Sequence, residues 1–173
     1  MKNKIINLVI EQMKFNKINE VFGQALFFKE YFKVFRENKP FDENIIKSIQ
    51  HSFKINDVII LSNTLISKFE EKMDILSRND IKSDIGLIIF IGDGYIDGHS
   101  IFLNNSTYVF IDLYAISSRF NKKYDWDAFL SHEIIHAVHY DLNNEFYPEN
   151  YNSIEDKYLK TLIVEGMATH MSI

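Results

Sequence analysis

The hydrophobic pattern of this chain changes period near residue 80, and that change limits the folds open to it. Before it, apolar residues recur every three or four positions. Between Ile18 and Phe35, the residues Val21, Phe22, Ala25, Leu26, Phe28, Phe32 and Phe35 make one helical stripe. Lys39-Pro40 breaks that helix, and Asp42 is a good N-cap for a second from Glu43 to about His51. A third runs from about Asp57 to Leu76, with Val58, Leu61, Leu65, Phe69 and Met73 in line. Beyond residue 80 the pattern is that of strands. Ile85 to Ile91 is a β-branched run ended by Gly92-Asp93-Gly94, and Asp97-Gly98 marks another turn. Ile101-Phe102-Leu103, Asn104-Asn105-Ser106 and Thr107 to Leu113 then read as strand, turn and strand. Helical spacing returns after Asp125 or Asp127, either of which can cap a helix carrying Phe129 to Tyr140. A loop from Asn143 to Tyr151 holds Pro148, and Ser153 with Asp156 opens a last helix to about Met171. The expected class is α+β: a helical N-terminal half, a small, mainly antiparallel sheet, and two closing helices packed together.

Composition narrows what such a fold can do. At 173 residues with 46% apolar and 25% charged side chains, one domain over 1–173 is expected, helical over 1–80 and sheet plus closing helices over 85–173. A net charge of -5 leaves no basic footprint for nucleic acid or an anionic membrane. The longest apolar run is far too short to span a bilayer. The run Ile5 to Ile10 reads as a first amphipathic helix rather than a secretory signal, which makes a cytoplasmic location the default. Cysteine is absent, so there is no disulfide framework, and any metal must be held by nitrogen and oxygen.

The residues that carry chemistry stand on the penultimate helix. His132-Glu133-Ile134-Ile135-His136 is an H-E-x-x-H segment. Residues four apart lie one above the other on a helix, so both imidazoles can reach one ion, with Glu133 beside it to hold a water. An open catalytic zinc site wants a third protein ligand. His139 is the near candidate, although ligands at i, i+4 and i+7 spread over about 10 Å of helix. Glu165 is the far one, 29 residues after His136 on the last helix. Its face also carries Tyr158, Thr161, Leu162 and Thr169, which would point it at the core, with Gly166 and Ala168 letting the two helices approach. His51 and His99 fall in surroundings that suggest no role.

H-E-x-x-H followed some thirty residues later by Glu165-Gly166-Met167-Ala168 resembles the gluzincin-type metallopeptidases. Within these it is most similar to a family of predicted zinc-dependent proteases, over the stretch from Asp127 to His170. The resemblance implies a zincin-like fold with Zn2+ on His132, His136 and Glu165, Glu133 as general base, and a peptide or protein as substrate. It leaves the second oxyanion donor open. His170 is the first choice, with Tyr158, Tyr140 and His139 behind it. Asp127, Asp156 and Glu155 are candidates to orient a ligand imidazole, and the strand Thr107 to Leu113 to pair with extended peptide. The alternatives are a non-catalytic metal-containing binding or regulatory module, or an inactive truncated relative, since the chain ends eight residues after Glu165.

Overall fold

The computed structural model describes residues 4–14, 26–119, 125–147 and 150–172. The N-terminal apolar run pairs as a strand. β1 (Ile5–Asn7) lies parallel to β2 (Gly86–Phe90), with Ile5 opposite Leu87, and α1 (Val9–Lys14) follows. This corrects the helix expected from Ile5. So short an apolar run carries no period of its own, and the backbone partners offered by β2 decide its state. Gln12 closes the join, donating to the carbonyl of Ile91 at 2.9 Å and accepting its N–H at 2.7 Å.

The next helices stand where the spacing puts them, but the first buries a face shifted from its expected stripe, taking in Phe27 and Tyr31 and leaving Leu26 out. α2 (Leu26–Phe35) buries Phe27, Phe28 and Tyr31 and leaves Leu26 exposed; the expected turns from Ile18 to Ala25 lie outside the described residues. α3 (Glu43–Ser52) begins at Asp42, whose carboxylate accepts the N–H groups of Asn44 and Ile45. α4 (Ile55–Arg78) buries Val58, Leu65, Phe69 and Met73.

The sheet is mixed, which corrects the antiparallel expectation. Its order is β1-β2-β4-β3, with β3 (Gly98–Leu103) and β4 (Ser106–Asp112). β1, β2 and β4 run parallel, and β3 alone is antiparallel to β4. β2 is buried at all five positions, as strands are when both sheet faces are covered in a parallel arrangement. The chain therefore leaves β2 without a hairpin, lays β3 at the far edge, and returns to place β4 between them. The β3–β4 hairpin itself is as expected. Asn104 and Asn105 both take positive φ, 48° and 60°, the two-residue turn whose twist suits a hairpin. One consequence is that the strand from Thr107 is interior and has no edge to offer a peptide.

Helices cover the sheet. α1 and α4 pack on β2, α2 on β3, and α6 (Trp126–Leu142) on β3 and β4. Between β4 and α6 lies α5 (Leu113–Arg119), anchored by Asp112, which is fully buried and accepts the N–H groups of Gly92, Gly94 and Tyr114 at 2.8–2.9 Å. Burial outweighs those bonds and pushes its carboxyl up to about 6. α6 starts at Asp125, which accepts from Asp127 and Ala128, and a 3-10 turn (Asn144–Phe146) follows. α7 (Ile154–Met171), capped by Ser153, then returns along α6 and seats Val164 in a small cluster with Tyr140 and Tyr147. Among the described residues no helix is long and apolar enough to cross a membrane.

Candidate metal centre

α6 is apolar on the side that meets the sheet, where Phe129, Leu130, Ile134 and Ala137 are buried. That packing carries its polar stripe toward α7. His136 is 2% exposed, and its Nε2 lies 2.9 Å from Nε2 of His132. From α7, Oε2 of Glu165 comes within 3.4 Å of the His132 nitrogen and 3.5 Å of the His136 nitrogen. These three donors form a triangle on two helices. A tetrahedral ion with bonds of about 2.0–2.1 Å has ligand–ligand edges of about 3.3–3.4 Å. The two sides to Glu165, 3.4 and 3.5 Å, match that edge, and the two imidazole nitrogens, at hydrogen-bond distance of 2.9 Å, need to part by only about 0.4 Å to complete the face. Two imidazoles and a carboxylate are also the donor chemistry that zinc accepts.

The triangle is graded from inside to outside. Burial, before the neighbouring histidines, pulls His136 down to about 3, so its imidazole is neutral and keeps a lone pair for an ion. The side chain of Glu165 is 52% exposed, which corrects the expectation that it points into the core. Val164 and Ala168 are the residues that α7 buries; Tyr158, Thr161, Leu162 and Thr169 are all exposed. Ala168 is at the helix contact as expected, but Gly166 is not, since a Cβ there would have no neighbour within 4 Å.

Glu133 lies under the triangle. It is 7% exposed, and its Oε2 has no hydrogen-bond partner among the described residues. Burial first, then the charges of Asp97 and Glu165, push its carboxyl up to about 8. An acid so enclosed demands either a proton or a nearby cation. Room for it comes from Gly98 at the start of β3, where a Cβ would stand 3.3 Å from Glu133 Cγ and 2.8 Å from Phe129 Cζ.

His99 follows that glycine and touches the site, contrary to the sequence reading. Its ring stands 5.7 Å from that of His136 and 6.2 Å from Tyr140, and Phe35 closes the other side at 5.3 Å. Burial, then His132, brings it down to about 4. The available signal was Gly98-His99 at a strand start, where a glycine admits a helix and the next side chain meets it. His51, by contrast, is a surface residue whose Nδ1 bonds the carbonyl of Lys47.

The remaining candidates are not drawn into the triangle. His139 packs its ring 4.5 Å from that of Phe146, and burial lowers its pKa. Tyr140 is buried and stacks on His136 at 6.2 Å, while Tyr158 is 73% exposed. His170 is exposed and, five residues past Glu165, lies about 140° round α7 from it. The acids proposed to orient an imidazole are otherwise engaged: Asp127 with Lys68 at 2.6 Å, Asp156 with Lys160 and the backbone of Asn152, and Glu155 with the N-terminal cap of α7. No protein-family model matches this chain, and no curated protein or solved structure compared with it is significantly similar.

Proposed function

We propose that this chain is a zinc-dependent hydrolase of zincin-like build, acting on peptide bonds, with His132, His136 and Glu165 as ligands and Glu133 as general base. The observation that carries the reading is the buried, unpartnered oxygen of Glu133 beside three donors spaced like a tetrahedral face. A zinc ion on those donors supplies a water of near-neutral pKa and a Lewis acid for the substrate carbonyl. Glu133, standing beside the three donors, takes the proton of the attacking water and delivers it to the leaving nitrogen. His99 and Tyr140 flank His136 with apolar ring faces and keep bulk water from its inner side. β3 is the sheet edge beside α6, and Tyr147 already occupies part of it, its hydroxyl accepting the N–H of Phe102 at 3.2 Å. Peptide is therefore expected toward the Gly98 end of that strand rather than on β4. His170 has no part in this assignment, because it faces away from the ligands.

Metal analysis and turnover together test the proposal. Dialysis against buffered zinc should leave about one ion per chain. Glu133→Gln should keep that ion and lose about 10²–10⁴-fold of hydrolysis in a peptide-library screen. Zinc well below one per chain refutes the metal site. Unchanged turnover in Glu133→Gln refutes the base, and full zinc loading without any cleavage favours a binding module.

A further inference from the structure

α7 carries large apolar side chains almost all the way round, yet only one side of it is docked. Val164 and Ala168 face α6, at 2% and 0% exposure. Away from them, Ile154, Tyr158, Leu159 and Leu162 are 63–73% exposed, and Ile163 and Met167 are 47% and 41% exposed. A helix that is apolar all round is normally enclosed. At 100° per residue, the direction opposite the docked side is that of Gly166, with Glu155, Leu159, Leu162 and His170 within about 40° of it and Ile163 on the flank. Gly166 is a helix-interior glycine with nothing near its Cβ position, so no contact within the described residues calls for its small size.

That outward seam is self-complementary. Laying a second α7 across it antiparallel, about a two-fold axis between residues 162 and 163, sets Leu162 against Ile163. The same register drops Leu159 into the gap left by Gly166 and puts Glu155 against His170. A parallel pairing would instead oppose Glu155 to Glu155 and leave Gly166 facing Gly166 across a void. Area supports the same occupant. The large apolar side chains within about 80° of the seam centre, Tyr158, Leu159, Leu162 and Ile163, present on the order of 500 Å², and the ends at Glu155 and His170 bring the face to the roughly 600 Å² per partner at which stable interfaces begin. We infer that the outward face of α7 is the seam of a homodimer, paired antiparallel through Leu159, Leu162, Ile163 and Gly166. Glu165 lies about 100° from the centre of the seam, so pairing leaves the metal-ligand triangle open. The inference is independent of whether that triangle binds metal.

Sedimentation equilibrium is the test. The intact chain should show twice 20.4 kDa, about 41 kDa, with a micromolar or tighter dissociation constant. Leu162→Glu should weaken association by at least about 100-fold while circular dichroism shows an unchanged fold, because Leu162 is 72% exposed within one copy. Ile60→Glu, on the exposed side of α4, should remain dimeric. Glu155→Lys should weaken the dimer, and adding His170→Glu should recover it. The chain has no cysteine, so Leu162→Cys alone should form a disulfide-linked dimer on mild oxidation. A parent chain still monomeric at about 100 μM, with or without binding to phosphatidylglycerol vesicles, overturns the inference. So does a dimer that survives Leu162→Glu.

Discussion

Replacing Gly98 by alanine tests the contact that joins the sheet to the site. The added methyl would stand 2.8 Å from Phe129 Cζ and 3.3 Å from both Glu133 Cγ and the carbonyl oxygen of Phe110. Carbon atoms reach their optimal contact at about 3.5–4.0 Å, so Phe129 must give by more than about 0.5 Å. It has little freedom to do so, being a buried ring on α6, which packs on both β3 and β4. Overpacking of this kind costs about 1–3 kcal/mol. For a chain of this size each kcal/mol lowers Tm by about 2–4 °C, so a fall of about 2–12 °C is expected by calorimetry. The methyl also leans on Glu133, so hydrolysis should drop at least about tenfold more than zinc affinity does. Gly166→Ala is the matched control, made on the monomeric Leu162→Glu background. With no neighbour to meet, it should raise stability by up to about 1 kcal/mol through helix propensity. The same chemical change thus has opposite signs at the two glycines. A Gly98→Ala protein melting within about 1 °C of the parent would refute the packing argument.

Three further outcomes follow from other contacts. Glu165→Gln should weaken zinc binding at least about 100-fold in competition titrations, and His139→Ala should change it less than about tenfold; the reverse order would reassign the third ligand. Asp112 is an acid whose folded pKa, about 6, lies above its unfolded value. Its contribution to stability is therefore greatest below pH 4 and is lost as pH rises through 6. The stability gap between the parent and Asp112→Asn in urea should narrow by up to about 3 kcal/mol from pH 4 to 7, and a constant gap would contradict the shift. Arg36→Ala should cost about 3–5 kcal/mol by the same measurement. The substitution strands Asp93, paired with Arg36 at 2.7 Å and 7% exposed, and a loss under about 1 kcal/mol would show the pair to be solvated.

What the sequence made legible was local. The stripe of α4, the caps at Asp42, Asp125 and Ser153, and the Asn104-Asn105 turn all rest on spacings of four residues or fewer. The triangle of His132, His136 and Glu165 was readable for a related reason. Two members are one helical turn apart, and the third stands in a recognisable short segment. What stayed hidden depends on contacts distant in sequence. β1 is a strand because of residues about eighty positions away, and β4 is interior because β3 passes to its far side. His99 meets His136 only after α6 has settled on β3. The outward turn of Gly166 could not be read because α7 is apolar on every side, so its sequence does not mark which face docks.

The parallel join of β1 to β2 also sets an order of assembly. The β3–β4 hairpin closes over two residues, and α6 and α7 are near neighbours along the chain, so both can form early. Pairing Ile5 with Leu87 must close a loop of about eighty residues, an entropic cost recovered only once β2 is in place. During synthesis the first strand therefore waits, unpaired, until the ribosome has released residues beyond 90. In that interval, and after any local opening at the N-terminus, the outer edge of β2 is a bare row of backbone groups on the all-apolar strand Gly86–Phe90. Such an edge recruits other chains. Loss of Ile5–Asn7 by proteolysis is thus expected to appear first as aggregation, at temperatures where α6 and α7 are still folded.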